Sequence, residues 1–510
     1  MKLDKINHPT DDPKLPSYHH PILTDVEGDL KRAWACWQYL RGVKADYLPK
    51  EPAEPNDAYQ ARLDRAVYAG FFRDSIESFA GILSRFQLRN PPPTLEQYWP
   101  DINAEGDDGR TFLMTADAML MRDGGVCLGV EMSPEEAQSR AEELNAGKRP
   151  YLVTRARNVM LNWQVGMFSG IEMPTLATFL EVEEINDKEG FGVRHEPRYR
   201  VISPGAWTLY RLVEQKGSGG GFRAEEIDAG QYLQPSGQPL PVCPIIWYSI
   251  DGDQFGTGGM PLRQVMELDL EHFRMRSDLN EKRHRISMPV PVREGAPPPP
   301  PGMPPERLVL GPNSVVDVPL GGGFHFAEPL ATSLKDQMDG IAHVESMIRQ
   351  KTMSFAYSSD GAAAKTATQV SLEAANVKNS ITKMAARKES ALQRLMWIWC
   401  LFTGEQLSPE AGINMATSIY DRPLNPQERV QLIAEVDAGL LSKESAIEML
   451  QRGGVNDITQ SVEEELDRIK ADERKAARRI GTNDSEATGD RQPPAKVPDN
   501  ATSGDIANVL

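Results

Sequence analysis

Residues 260–286 read MPLRQVMELDLEHFRMRSDLNEKRHRI, and the reading of this stretch decides the fold. Pro261 suits a first helical turn, and one helix to Ile286 is predicted, spanning roughly 40 Å at 1.5 Å per residue. It is dense in charge and only weakly amphipathic. A long helix without a broad apolar face is better placed beside copies of itself than inside a globular core. Its cations Arg274, Arg276, Lys282, Arg283 and Arg285 alternate with Glu267, Asp269, Glu271, Asp278 and Glu281. Such mixing favours a solvated or intersubunit salt-bridged surface over a stripe that grips DNA.

C-terminal to this helix, residues 288–326 form a compact β insertion with a proline-rich tip at 297–305. Pro289 and Pro291 lie two apart, so in a strand both missing amides face one edge, and that strand pairs fully only on its other side. Leu330, Leu334, Met338, Ile341, Val344 and Ile348 mark a return helix ending near Lys351. The unit is two struts carrying a small β head. Residues 353–365 are a loop of polar and small residues. Then Val370, Ala374, Val377, Ile381, Met384, Ala391, Leu395 and Trp399, spaced by three and four, predict a helix over 366–402. Unbroken, it extends roughly 55 Å, more than one domain needs, and is expected to cross the molecule. Beyond Gly404 come a short helix through Val430, Ile433 and Val436, another over 442–450, and a charged one over 460–479. The polar tail 481–510 has the composition of a disordered segment.

N-terminal to the decisive stretch, the glycine-rich residues 251–259 read either as a hinge at the base of the strut or as a plain strand-to-helix loop. Residues 151–250 carry β-rich runs at 175–185, 198–202, 206–214, 222–233 and 242–250, separated by short turns. These predict an antiparallel sheet or small barrel, with 217–221 as a hairpin tip. Before it the period is helical. Val26, Leu30, Ala33, Trp34, Trp37 and Leu40 form one stripe whose two tryptophans need a surface to pack on. Residues 58–86 give one or two helices, 110–122 another, and Ser133, Pro134 and Glu136 start a helix running to Gly147. The fold class is α+β.

The chain has 510 residues, 40% hydrophobic and 25% charged, which fits a protein folded over most of its length in about three regions. Its longest apolar run, 395–402, is far shorter than a membrane helix, and residues 1–17 lack the apolar centre of a signal peptide. No membrane association is expected, and the protein is expected inside the cell. Cys36, Cys127, Cys243 and Cys400 show no pairing or metal spacing, so buried thiols are predicted. The net charge of −17 has the wrong sign for gripping phosphates. An acidic wall repels DNA and lets it slide, which is a channel property.

Catalytic signatures are missing. No two histidines have metal-hydrolase spacing with a neighbouring glutamate. Ser380 and Lys383 form a Ser-x-x-Lys pair, but mid-helix and without its companion motifs, so it is read as chance. The glycines at 217–221 are followed by Phe222 and Arg223 rather than the Lys and Ser/Thr of a phosphate loop. Gly252, Gly256, Gly258 and Gly259 do not meet the dinucleotide fingerprint. No enzyme, cofactor or metal is expected.

The element order of helix, β head, return helix, polar loop, very long helix and terminal helical cap resembles the portal proteins of tailed bacteriophages over 26–479. Local sequence agrees at 34–49, ending in Tyr-Leu-Pro, at 59–86, and at Leu308-Val-Leu-Gly-Pro-Asn followed by 315–319. The resemblance implies a portal fold with residues 1–255 and 366–404 as wing. It makes 256–286 and 329–350 the stem, 287–328 the clip, 351–365 a tunnel loop and 405–480 the crown. It further implies a ring, usually of twelve copies, assembled in the host cytoplasm and sited at one capsid vertex of the virion. There it serves genome packaging, retention and ejection. Implied partners are the terminase packaging motor, neck or adaptor proteins, capsid and scaffold proteins, and double-stranded DNA in the channel. The stem charges Arg274, Arg276, Lys282, Arg283, Arg285, Glu267, Glu271 and Asp278 would face other subunits. Arg293, Glu294, Glu306 and Arg307 would form the clip docking surface, and Lys351, Tyr357 and Lys365 would face DNA, unless 353–365 is simply an exposed loop. The proline-rich tip departs from a generic portal and tends toward stiff polyproline geometry.

Two other readings stay open. A different phage head or neck structural protein shares the acidity and β insertions but does not need two long helices flanking a β head. A hydrolase or transferase with a helical accessory region requires convergent polar residues that the sequence does not display.

Overall fold

The computed structural model describes residues 8–132, 149–186, 190–215, 221–252, 254–286, 290–294, 318, 320–327, 332–352, 367–415, 426–452 and 465–471. The chain divides into two compact units, 1–417 and 418–510. The helix expected at 133–147, the tip at 297–305, the loop 353–365 and the tail 481–510 lie outside the described residues.

The first unit is mixed α/β. Its N-terminal part holds α1 (Pro21–Trp37), a single turn α2 (Lys44–Tyr47), α3 (Asn56–Arg65), α4 (Phe71–Leu83), α5 (Pro93–Tyr98) and α6 (Gly109–Asp123). The tryptophans of α1 pack on arginines: the Arg122 guanidinium lies 4.6 Å from the Trp34 ring and Arg73 lies 4.7 Å from Trp37, each a cation over an aromatic face. The stretch 58–86 is two helices, because Gly70 adopts a left-handed φ of 84°, where any side chain would meet the Tyr39 ring. Phe86, expected in the helix, instead opens β1 (Phe86–Arg89), which pairs antiparallel with β12 (Gly412–Met415). That partner is more than three hundred residues away, beyond the reach of local periodicity.

Asp108 caps α6 by accepting from the amides of Arg110 and Thr111 at 2.8 and 2.9 Å. The strand β2 (Val126–Met132) then enters the core between β3 (Pro150–Ala156) and β9 (Ile245–Tyr248), antiparallel to both. β2 was not predicted, since its run Val-Cys-Leu-Gly-Val is buried throughout and carries no alternation to read. Four of the five expected runs lie in an open five-stranded antiparallel meander of β4 (Met160–Phe168), β5 (Ile171–Asn186), β6 (Val193–Ser203), β7 (Ala206–Glu214) and β8 (Phe222–Gln231), whereas the run 242–250 contains β9, which pairs with β2 in the separate three-stranded sheet, and β4 was not predicted.

Between meander and core strands on one side and the C-terminal segment on the other comes the decisive stretch, α7 (Arg263–Ile286), then β10 (Val290–Arg293), β11 (Phe324–Ala327) and α8 (Thr332–Lys351). The long helix α9 (Ala367–Thr403) follows, with 37 residues and a length of about 55 Å. From Ile381 onward it buries Met384, Leu392, Leu395, Ile398, Trp399 and Phe402 against β9, β2 and β12. Trp399 donates its indole N–H to Thr94 at 2.9 Å.

In the second unit, α10 (Pro426–Asp437) and α11 (Lys443–Arg452) pack together, Ser442 capping α11 through the Ser445 amide at 3.1 Å. The stripe expected on α10 points outward: Val430 and Ile433 are 67% and 59% exposed, while Leu432 is buried.

Candidate functional site

The feature with no role in a self-contained globule is the helix pair α7–α8 and the hairpin between them. His272 Nε2 lies 3.2 Å from Glu345 Oε1, and Arg283 donates to Met338 Sδ at 3.3 Å. Positions rise along α7 as they fall along α8, so the pair is antiparallel. At 24 and 20 residues the helices span about 36 and 30 Å. At the far end, β10 pairs antiparallel with β11, Pro291 standing opposite Phe326. The expectation of one-sided pairing rests also on Pro289, which lies outside the described residues.

The root of α7 departs from the sequence expectation. Leu262, Val265, Met266, Leu270, Phe273 and Leu279 are buried against α1, α3 and α4 of the same chain. The apolar face is real, but buried Asp269, His272 and Ser277 interrupt it, so the sequence pattern looks weakly amphipathic. Asp269 accepts from the Tyr68 hydroxyl at 2.5 Å and from the Phe72 amide, in the first turn of α4, at 2.9 Å. Burial pushes its carboxyl up to about 6 against those two donors. His272 stacks edge-on against Phe71, and burial lowers its pKa while Glu345 opposes the shift.

The glycine-rich loop before α7 is clamped. Arg157, itself buried, donates to the carbonyls of Gly258 at 2.7 Å and Gly256 at 3.1 Å. Trp247 donates to Thr257 O at 2.6 Å, and Ser249 accepts from the Gly252 amide at 3.0 Å. The backbone of Gly259 approaches Gly124 so closely that no Cβ fits there. The described glycines of this loop are thus bonded to Arg157 and Ser249 and packed against Gly124. Lys383 pairs with Asp251, a structural use for half of the Ser-x-x-Lys pair.

The predicted site residues divide by position. Arg274 donates to Tyr47 O at 3.1 Å, Asp278 lies 3.9 Å from Arg62, and Glu267 lies 3.3 Å from Arg263, so these charges are engaged within the chain. Arg276, Lys282 and Glu271 are exposed, as is Arg283 beside Met338. Arg285 is placed in the helix backbone only. At the hairpin, Arg293 stands opposite Phe324. Glu294 is exposed, its amide donating to Gly323 O at 2.8 Å and its carboxylate 3.8 Å from His325. Lys351 is the exposed last residue of α8. Glu306, Arg307, Tyr357 and Lys365 lie outside the described residues.

Sequence reading missed a buried ionic cluster. Lys388 of α9 donates to Asp117 of α6 at 2.6 Å and to Leu83 O at 2.7 Å, and Tyr248 of β9 donates to Asp117 at 3.1 Å. Lys388 and Asp117 are 1% and 0% exposed. Burial pushes each toward its neutral form and their mutual attraction opposes this. The cluster ties α9 to α6, to β9 and to the end of α4. All four cysteines are buried free thiols, Cys36, Cys127 and Cys243 pushed up to about 12 by burial. Among the described residues no His, Cys, Asp and Glu group is arranged to hold a metal, and no helix is long and apolar enough to cross a membrane.

The family model described as "Domain of unknown function (DUF4055)" matches residues 261–402, from the residues before α7 to nearly the end of α9. No curated protein matches the chain. Among solved structures, the chain is similar to one from "Virion of native gene transfer agent (GTA) particle", at 14% identity and a TM-score of 0.38, covering 82% of this chain and 98% of that one. It is also similar to chains from "Neck of empty GTA particle computed with C6 symmetry" and "Neck of native GTA particle computed with C12 symmetry". These show 12% and 13% identity and TM-scores of 0.36, covering 80% and 79% of this chain and 96% and 95% of those chains.

Proposed function

We propose that this chain is a non-enzymatic portal subunit of a tailed phage or phage-like particle, whose copies form a ring around a DNA channel at one capsid vertex. One observation carries the reading: an antiparallel helix pair, rooted in the body at one end and closed by a two-stranded hairpin at the other, leads to a 37-residue helix locked to the body. In the ring the pair is the stem, and Glu271, Arg276 and Lys282 face charges of neighbouring copies. The hairpin is the clip, where the packaging motor and later the neck proteins dock. The segment 351–365 is the tunnel loop, 405–480 the crown, and capsid and scaffold proteins surround the wing. A net charge of −17 suits a wall along which DNA slides.

Native mass measurement of the purified chain tests this. A dominant species at about twelve times 56.6 kDa, persisting on dilution, is expected. A folded monomer at every concentration overturns the reading.

A further inference from the structure

The two edges of the meander are built differently. β8, at one edge, carries Arg223, Glu225, Glu226 and Asp228, the charges by which sheets discourage pairing. β4, at the other edge, has the sequence MLNWQVGMF with no charged residue. Around the tight turn into β5, Val165, Met167 and Ile171 are 44%, 72% and 51% exposed. Inside the same tip, Phe168 packs 6.4 Å from the Trp397 ring of α9. Arg394, about one turn before Trp397 on α9, and Arg387, about three turns before it, line a groove of about 160 Å³ with Ser390, Glu172, Met173, Pro174 and Gln254 among the other walls. Arg394 is exposed and makes no ion pair among the described residues.

We propose that the β4–β5 tip with Arg394 and Trp397 is a docking surface for a second copy of this chain. This rests on the ring reading and names one side of its contact. Two arguments select the occupant. Exposed Met and Ile beside Trp and Arg match the composition of interface cores, where a few apolar anchors and arginines carry the association. Each copy also carries a net charge of −17, which favours cations at a contact between copies, and Arg394, exposed beside the apolar residues of the tip, supplies one. In a cyclic ring the contact is heterologous, this tip meeting a different, acidic surface of the next copy.

The test compares full-length wild type, M167D and R394E by native mass and sedimentation over a range of concentration and salt. Met167 and Arg394 are exposed, so circular dichroism and melting should match wild type. The expected result is ring assembly by wild type and at least tenfold weaker assembly by both variants. Wild-type rings with equally stable variant rings overturn the docking surface and leave the ring reading standing. Wild type that never assembles overturns both. Should either variant melt early, M167S and R394Q replace them, with weakened assembly expected and unchanged assembly counting against the surface.

Discussion

Lys388 shows how much one buried residue constrains this molecule. Its buried ammonium donates to Asp117 and to Leu83 O. Lys388→Met therefore strands a buried carboxylate and should cost about 3–5 kcal/mol, whereas adding Asp117→Asn should recover more than half of it. Equilibrium denaturation checks this, and equal losses in single and double variants would mean that the pair is not coupled. Asp269 makes a pH-dependent prediction. Its folded carboxyl titrates near 6 against an ordinary value of 3.8, so the folded state holds more protons between those values and its contribution to stability falls as pH rises from about 4 to 6. Asp269→Asn keeps an acceptor for Tyr68 and Phe72 but cannot ionise. Its stability relative to wild type should rise over that window by up to about 3 kcal/mol and then level off, the start of α4 lowering the figure by favouring the carboxylate. A difference independent of pH would contradict the assignment.

At the scale of elements, what was legible in the sequence follows from where the partners lie. α9 was readable because its apolar spacing of three and four is set by one face along one helix. β10 was readable because proline removes an amide whatever surrounds it. β1, β2 and β12 were not, since β1 and β12 meet across the whole chain and β2 is apolar on both faces. The buried face of α7 was hidden by Asp269, His272 and Ser277, polar residues satisfied or tolerated only through α4 and α8. The charges expected to act on α7 and the hairpin gave the least: several on α7 are spent on neighbours in the same chain, and local composition cannot distinguish those from charges left exposed. The loop before α7 supplies a further prediction. Arg157→Met removes the donors to Gly256 O and Gly258 O, and hydrogen exchange over 252–259 should speed up at least tenfold. Unchanged protection would show that Trp247 and Ser249 hold the loop without it.

At the scale of the molecule, the first unit has a core built around α9 and β2, and α7 packs on α1, α3 and α4 as far as Leu279 while pairing with α8. The two-stranded hairpin that closes the pair has little apolar area of its own to stabilise it, and the proposed ring sets copies beside one another there. In the proposed ring, Arg394 of α9 beside the β4–β5 tip would face an acidic surface of the next copy.

Electron microscopy of the purified full-length chain tests the central claim most directly. The account predicts rings with an axial opening, bounded by one α7–α8 pair per copy, with the β10–β11 hairpins gathered at one end. Closed particles without an opening, or single copies at every concentration, would contradict it.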